Sequence, residues 1–261
     1  MDLNLSGNVA LCTAASSGLG LASAESLARE GADVVICGRT ESRLAAAGEQ
    51  LETAGSGDVL TVQADLTDRD HVTALVEETV DTFGGIDHVV TSAGGPPSGP
   101  FLEMDDEDWY DAYDLLVMSA VWTLRESYPY LRDSEAGSAV AITSRTVQEV
   151  ADGLVLSNAV RRTVIGLVKT LSREFSPEVR VNALLPGAHE TARIEELIEA
   201  SVERGEVADY AEGYEEWAGD VPLDRIGEPQ ELGDVAAFLA SDRASYVNGA
   251  AVPVDGGSLR S

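Results

Sequence analysis

Short runs of consecutive apolar residues alternate along this chain with longer stretches in which apolar positions return every three or four residues. The first pattern predicts strands buried on both faces, and the second predicts helices that cover them. Val9–Cys12 is the first such strand; a helix follows, opening near Leu19 and ending at Gly31. Asp33–Cys37, Val59–Gln63, Ile86–Val90, Ser138–Ile142 and Val179–Leu184 read as further strands. Val72, Leu75, Val76 and Phe83 mark the apolar stripe of one helix, and Val160, Val164, Leu167 and Leu171 mark that of another. Asp105 to Leu131 reads as one long helix carrying Trp109, Tyr113 and Trp122, aromatics that suit a core or an interface. Strands alternating with helices in this way predict an α/β fold built on a parallel sheet.

The turn between the first strand and the first helix carries the clearest chemistry. It runs Thr13-Ala-Ala-Ser16-Ser17-Gly18-Leu19-Gly20. Gly18 and Gly20 put no side chain between the backbone and a pyrophosphate, and the first amides of the helix point at that anion. At the tip of the second strand, a carboxylate would accept hydrogen bonds from the ribose hydroxyls of NAD. Gly38 stands there instead, with Arg39 beside it. A guanidinium at that place pairs with the 2′-phosphate of NADP, so NADP is expected ahead of NAD; stacking on adenine or plain solvation is the alternative for Arg39.

The spacing of Thr13, Ala14, Gly18 and Gly20 resembles the T-G-x-x-x-G-x-G signature of the short-chain dehydrogenase/reductase family, with Ala14 where the first glycine stands. Asp65-Leu66 resembles the family's adenine-contacting pair, although Asp65 also suits helix capping, as do Thr67 and Asp68. Thr91-Ser92-Ala93-Gly94 is similar to the family's N-N-A-G turn. Pro186-Gly187-Ala-His-Glu-Thr191 is similar to the P-G-x-x-x-T turn that holds the nicotinamide ring. From Pro222 the chain follows the family's tail, so the resemblance runs from residue 5 to residue 257 and leans toward 3-oxoacyl-[acyl-carrier-protein] reductases. It implies one doubly wound Rossmann domain over residues 1–261, with seven parallel strands in the order 3-2-1-4-5-6-7 and the site at their carboxyl ends. It also implies an NAD(P) cofactor, a small carbonyl or alcohol substrate such as a 3-oxoacyl thioester, and a substrate lid at about 188–220. A homotetramer would pack through 105–131, 154–174 and the last strand.

The departures fall at the chemistry. Ser144 stands where the family's serine bonds the substrate carbonyl, but the Y-x-x-x-K pair becomes Ser157 and Arg161, a register fixed independently by Gly166-Leu-Val-Lys169. Leu116 falls on the position of the family's catalytic asparagine. A phenol starts at a pKa of about 10 and can be lowered by a nearby cation, whereas an aliphatic hydroxyl is a far weaker acid. Ser157 can therefore orient a carbonyl but is a poor proton source, and Arg161 keeps its proton while holding the cofactor. Two readings follow. In one, the protein is an NADP-dependent oxidoreductase whose proton comes from water, His189, or a lid tyrosine such as Tyr210 or Tyr214. In the other it is a catalytically silent NADP binder that acts as a sensor or partner subunit.

Composition narrows the setting. There are 46 acidic residues against 17 basic ones, of which only Lys169 is a lysine, for a net charge of −29. That balance is similar to halophilic archaeal proteins, in which screening over roughly 3 Å at 1 M salt relieves self-repulsion. It also excludes the basic footprint that nucleic-acid binding needs. No run approaches the roughly 18 apolar residues of a membrane span, and the start lacks a signal peptide, so a cytoplasmic protein is expected. Cys12 and Cys37 read as buried free thiols, and His71, His88 and His189 show no metal-ligand spacing. The charge predicts salt-dependent stability: the melting temperature is expected to be higher in molar KCl than in dilute buffer, and equal values would exclude this origin of the composition.

Overall fold

The computed structural model describes residues 2–260. Seven strands form one sheet: β1 (Val9–Cys12), β2 (Asp33–Gly38), β3 (Val59–Gln63), β4 (His88–Thr91), β5 (Ser138–Ile142), β6 (Arg180–Pro186) and β7 (Ala251–Val254). All neighbours pair in parallel in the order 3-2-1-4-5-6-7. This is the Rossmann-like arrangement expected from the sequence.

Period-two alternation along the strands makes two cores. Leu11, Val35, Val89, Ala139 and Val181 face one layer, packed against α3 (Arg69–Phe83), α5 (Ser119–Asp133) and α6 (Val155–Glu174). Ala10, Val34, Ile36, Val90 and Leu184 face the other, under α1 (Gly18–Arg29), α2 (Glu41–Ala54) and α9 (Pro229–Ala240). There α1 and α9 approach backbone to backbone. A Cβ on Gly233 would lie 2.3 Å from the Ala22 carbonyl oxygen, and Ser26 Oγ donates to Asp234 Oδ1 at 2.8 Å across the contact.

Several boundaries differ from the sequence expectation. β4 and β6 each begin and end later than the apolar runs suggest. The helix expected over 105–131 is divided: α4 (Asp106–Tyr113) opens on an Asp105/Asp108 capping box, and a π-helical turn (Asp114–Met118) precedes α5. Ser119 Oγ takes the Leu115 carbonyl at 2.5 Å, a side-chain bond of the kind that competes with the helix ladder. After β6, α7 (Ala192–Glu203) and α8 (Tyr210–Gly219) occupy the segment where the lid was expected, with a buried cluster of Ala188, Ile194, Ile198 and Ile226 at its base. No helix among the described residues is long and apolar enough to cross a membrane.

The amino edge of the sheet is tied by polar groups in chains. Asn8 Nδ2 donates to His88 Nε2 at 2.9 Å, His88 Nδ1 lies 2.9 Å from Ser138 Oγ, and Ser138 donates to the Ala240 carbonyl at 3.1 Å. Because an amide nitrogen only donates, the network fixes the neutral imidazole with its proton on Nδ1. Arg180 caps the carbonyl end of α9, donating to Leu239 (2.8 Å) and Ala240 (2.9 Å) as well as to Ser241 and Ala244.

Burial pushes the pKa of His88 down to about 4, against the opposing pull of Asp87. Above the unfolded value near 6.5 the ring is neutral in both states. As pH falls from there toward 4 the unfolded chain binds a proton that the folded chain refuses, and up to about 3 kcal/mol of stability is lost through this group. Unfolding free energies measured in denaturant between pH 4 and 7 are therefore expected to fall more steeply for the parent than for His88→Gln. Parallel slopes would show that the imidazole does not titrate on unfolding.

Candidate active site

The turn that follows β1 is shaped by one buried hydroxyl. Thr13 Oγ1 donates to the Ser92 carbonyl at 2.8 Å and accepts from the Ser92 amide at 2.9 Å, joining the ends of β1 and β4. Thr13 was expected to bind cofactor. At 2% exposure it does not reach the cleft, and its role is to hold the two lips of the crevice together. Ala14 sits at φ +47°, the left-handed region that favours glycine, which costs about 1 kcal/mol. The family's glycine conformation thus survives its replacement. Gly18 is also left-handed, and a Cβ on Gly20 would meet the Ala14 carbonyl oxygen at 2.7 Å. Ser17, the N-cap of α1, makes no side-chain cap bond, so the first amides of that helix are left for another acceptor.

The crevice at the carboxyl ends of the strands encloses about 500 Å³. Every other predicted site residue lines it: Ser16, Ser17, Gly18, Leu19 and Gly20 from the first turn; Arg39, Asp65 and Leu66 at one end; Ser92, Ala93 and Gly94 along the floor; Ser144, Ser157 and Arg161 at the other end; and Pro186, Gly187 and Thr191 on the far wall. Thr191 packs its methyl over Gly18, closing the wall against the turn. At the Arg39 end, a Cβ on Gly38 would meet Ser16 Oγ at 2.8 Å, so the ribose-reading position has no room for a carboxylate unless Ser16 moves. Arg43, which the sequence reading did not single out, lines the same end. Asp65 does not cap α3; Asp68 does. Its carboxylate accepts from the Thr67 amide (3.0 Å) and hydroxyl (2.8 Å), and the Thr67 bonds first, with Arg39 adding, hold its pKa below the usual range. An amide-lined glycine turn, a free hydroxyl and two guanidiniums fit a phosphorylated dinucleotide laid across the crevice.

At the opposite end, hydroxyls and a guanidinium converge. Ser144 Oγ accepts from the Thr146 amide at 3.2 Å, and Ser157 Oγ lies 3.2 Å from Thr146 Oγ1. Helical spacing on α6 carries Arg161 one turn past Ser157. Its Nη1 donates to the Thr143 carbonyl and its Nη2 to the Gly94 carbonyl, both at 3.2 Å, so it bridges the ends of β5 and β4. Burial, and then the charge of Arg193, press its pKa down to about 10, which leaves it a cation at neutral pH. Leu116 is buried in the core and the neighbouring Leu115 reaches the cleft, so the asparagine position is apolar.

The expected proton sources fare differently. His189 lines the cleft, but burial lowers its pKa and so favours a neutral ring, against the opposing pull of the Gly187 carbonyl that its Nδ1 faces at 3.3 Å. Neither lid tyrosine lines the cleft. Tyr214 donates to Glu190 Oε1 at 2.6 Å, which raises its pKa, and Tyr210 is 42% exposed. The lid reaches the site instead through Arg193, Leu197 and Trp217. Thr143, Arg145, Thr146 and Arg193 were missed by sequence reasoning. Thr143, Arg145 and Thr146 flank the recognised Ser144, and Arg193 lies two residues past the Thr191 turn, so position beside a recognised motif was the one signal that could have found them.

Comparison with known proteins agrees with this geometry. The family described as Enoyl-(Acyl carrier protein) reductase matches residues 13–258. A 3-oxoacyl-[acyl-carrier-protein] reductase of Thermotoga maritima is 33% identical over 257 residues, covering 98% of this chain and 99% of its own. The crystal structure of L-sorbose reductase from Gluconobacter frateurii, complexed with NADPH and L-sorbose, is similar over the whole of both chains, with a TM-score of 0.94 and 32% identity. An NADPH-bound short-chain oxidoreductase of Pseudomonas aeruginosa PAO1, described as containing an atypical catalytic center, has a TM-score of 0.87 and 30% identity over 97% of each chain. With the sheet order, the glycine turn and the crevice in place and the match running nearly end to end, the chain belongs to the short-chain dehydrogenase/reductase family.

Proposed function

We propose that the protein is an NADPH-dependent oxidoreductase that interconverts a carbonyl compound and a secondary alcohol. The observation that carries this reading is the juxtaposition, in one crevice, of a complete dinucleotide cradle with the Ser144 and Ser157 hydroxyls and the Arg161 cation at its far end. Relatives that bind NADPH, one of them with a center called atypical, support it. Bound there, NADPH would supply the hydride. The chain supplies the rest: Ser144 and Ser157 donate hydrogen bonds to the carbonyl oxygen as negative charge develops on it, and Arg161 adds a positive field. No acid of suitable strength reaches that oxygen, so the proton comes from water. A silent NADPH binder is the competing reading, favoured by the loss of the phenol at position 157.

NADPH oxidation in molar KCl with 3-oxoacyl thioesters, quinones, sugars and steroids separates the two. Turnover of one class is expected, with Ser144→Ala lowering kcat/KM roughly a hundredfold, the scale of losing one oxyanion donor. Tight NADPH binding with silence across the panel, and activity appearing only in a Ser157→Tyr/Arg161→Lys double variant, would establish the binder.

Cofactor choice is tested separately. Arg39→Ala is expected to weaken NADPH roughly tenfold or more while sparing NADH, the scale of one charged hydrogen bond to phosphate. Equal losses for both, read by calorimetry, would place Arg39 on the adenine.

A further inference from the structure

Acidic residues outnumber basic ones 46 to 17 in this chain, yet the crevice is lined by five arginines and only two carboxylates. Arg39 and Arg43 share the adenosine end with Asp65, where the 2′-phosphate is expected. Arg145, Arg161 and Arg193 stand at the reactive end with Glu196. Glu196 is already engaged by Arg193 at 3.2 Å and its side chain is 64% exposed. Among the described residues, neither Arg145 nor Arg161 has a carboxylate within 4.0 Å. Among the described residues, the acceptors of Arg161 are two backbone carbonyls, which use two of its five N–H groups.

Arg193 is built into place. Its Nη2 donates to the Pro96 carbonyl at 2.9 Å, and a Cβ on Gly95 would meet its Nε at 2.6 Å. The bare backbone of Gly95 therefore makes room for a guanidinium reaching from the first turn of α7 to the loop after β4. There it lies close enough for its charge to disfavour the charged form of Arg161. Like charges brought together at a partly buried place are unfavourable unless an anion joins them. A bound NADPH would leave this demand unmet: the glycine turn and Arg39 would hold its phosphates, and its reduced ring would be uncharged.

We propose that the carbonyl substrate is an anion, carrying a carboxylate or a phosphate that Arg193 binds beside Arg161 while its carbonyl faces Ser144. This rests on the oxidoreductase reading above. In the reaction a hydride from NADPH forms the new C–H bond and the C=O π electrons pass to oxygen, which takes a proton from water. NADP⁺ leaves, and the substrate's anionic group is unchanged. On a chain of net charge −29, the arginine-lined cleft attracts such an anion locally, where the acidic surface repels it.

The test uses matched pairs: a short 3-oxo acid and its methyl ester, and a ketose and its phosphate monoester. Both are assayed with NADPH at constant ionic strength, and binding to the NADP⁺-loaded protein is followed by calorimetry. One anionic member is expected to exceed its neutral partner at least tenfold in kcat/KM and in affinity, and which pair does so separates carboxylate from phosphate. Arg193→Gln is expected to reduce that ratio at least tenfold, and Arg193→Lys to restore part of it. Neutral members equal to or better than anionic ones, or an Arg193→Gln variant that loses NADPH affinity as much as substrate affinity, would overturn the proposal. Absence of NADPH binding in the parent would instead defeat the underlying reading. If turnover is absent while NADPH binds, the calorimetric ratio alone decides.

Discussion

The constraint on which this molecule depends is the position of β1. It lies between β2 and β4, hydrogen-bonded along both edges and covered on both faces, so its backbone is satisfied only within a parallel sheet wound in both directions. Connections leave β1 and β4 toward opposite sides, and a crevice opens where their carboxyl ends part. Thr13 and Ser92 hold that crevice to a fixed width through a reciprocal pair of hydrogen bonds, and Arg161 does the same one strand further on by spanning the carbonyls of Gly94 and Thr143. At the amino edge, the Asn8–His88–Ser138 chain and Arg180 consume the polar groups that strand and helix ends expose. The amino ends of the central strands are thus closed by polar groups, and the carboxyl ends are left with donors to spare.

On the proposed reading, Ser157 and Arg161 stand where the family has its tyrosine and lysine, a change of acid that keeps the cation. A lysine is a compact point charge, whereas a planar guanidinium can donate in two directions at once, and Arg161 uses that fork to tie two strand ends together. The cation thus gains a structural duty that an ammonium would serve less well. Ser157 pairs with the Thr146 hydroxyl, leaving a short row of hydroxyls with Ser144 where a phenol would otherwise stand. Such a row can stabilise charge on oxygen but cannot discharge it, so the proposed reaction calls for water in the site.

Much of the fold was legible because central strands buried on both faces are continuous apolar runs and the glycine turn has a fixed spacing. The strand ends were not: the hydrogen bonds that extend β6 through Leu185 and Pro186 depend on β7, which lies far along the chain. The π-helical turn at Asp114–Met118 was invisible to periodicity, since Leu115 and Leu116 keep an apolar face while Ser119 takes the carbonyl that alters the winding. Within the site, residues belonging to contiguous motifs fell where expected, and the failures are instructive. Thr13 belongs to the motif yet acts through Ser92, a partner 79 positions away. Arg145 and Arg193 reach the cleft because loops after β5 and β6 converge on it, a proximity that only the folded sheet creates.

The charge distribution separates two effects that composition alone merges. Carboxylates on the outside repel one another through solvent, and mobile ions within a few ångströms suppress that repulsion at high ionic strength. The opposition between Arg161 and Arg193 lies within the crevice, where burial weakens screening and where the Gly94, Thr143 and Pro96 carbonyls and the exposed Glu196 compensate it only in part. Added salt therefore relieves the surface without relieving the site. A bound anion acts in the opposite way, and this leaves room for one chain to be stabilised by its ionic medium and still discriminate among ligands by charge.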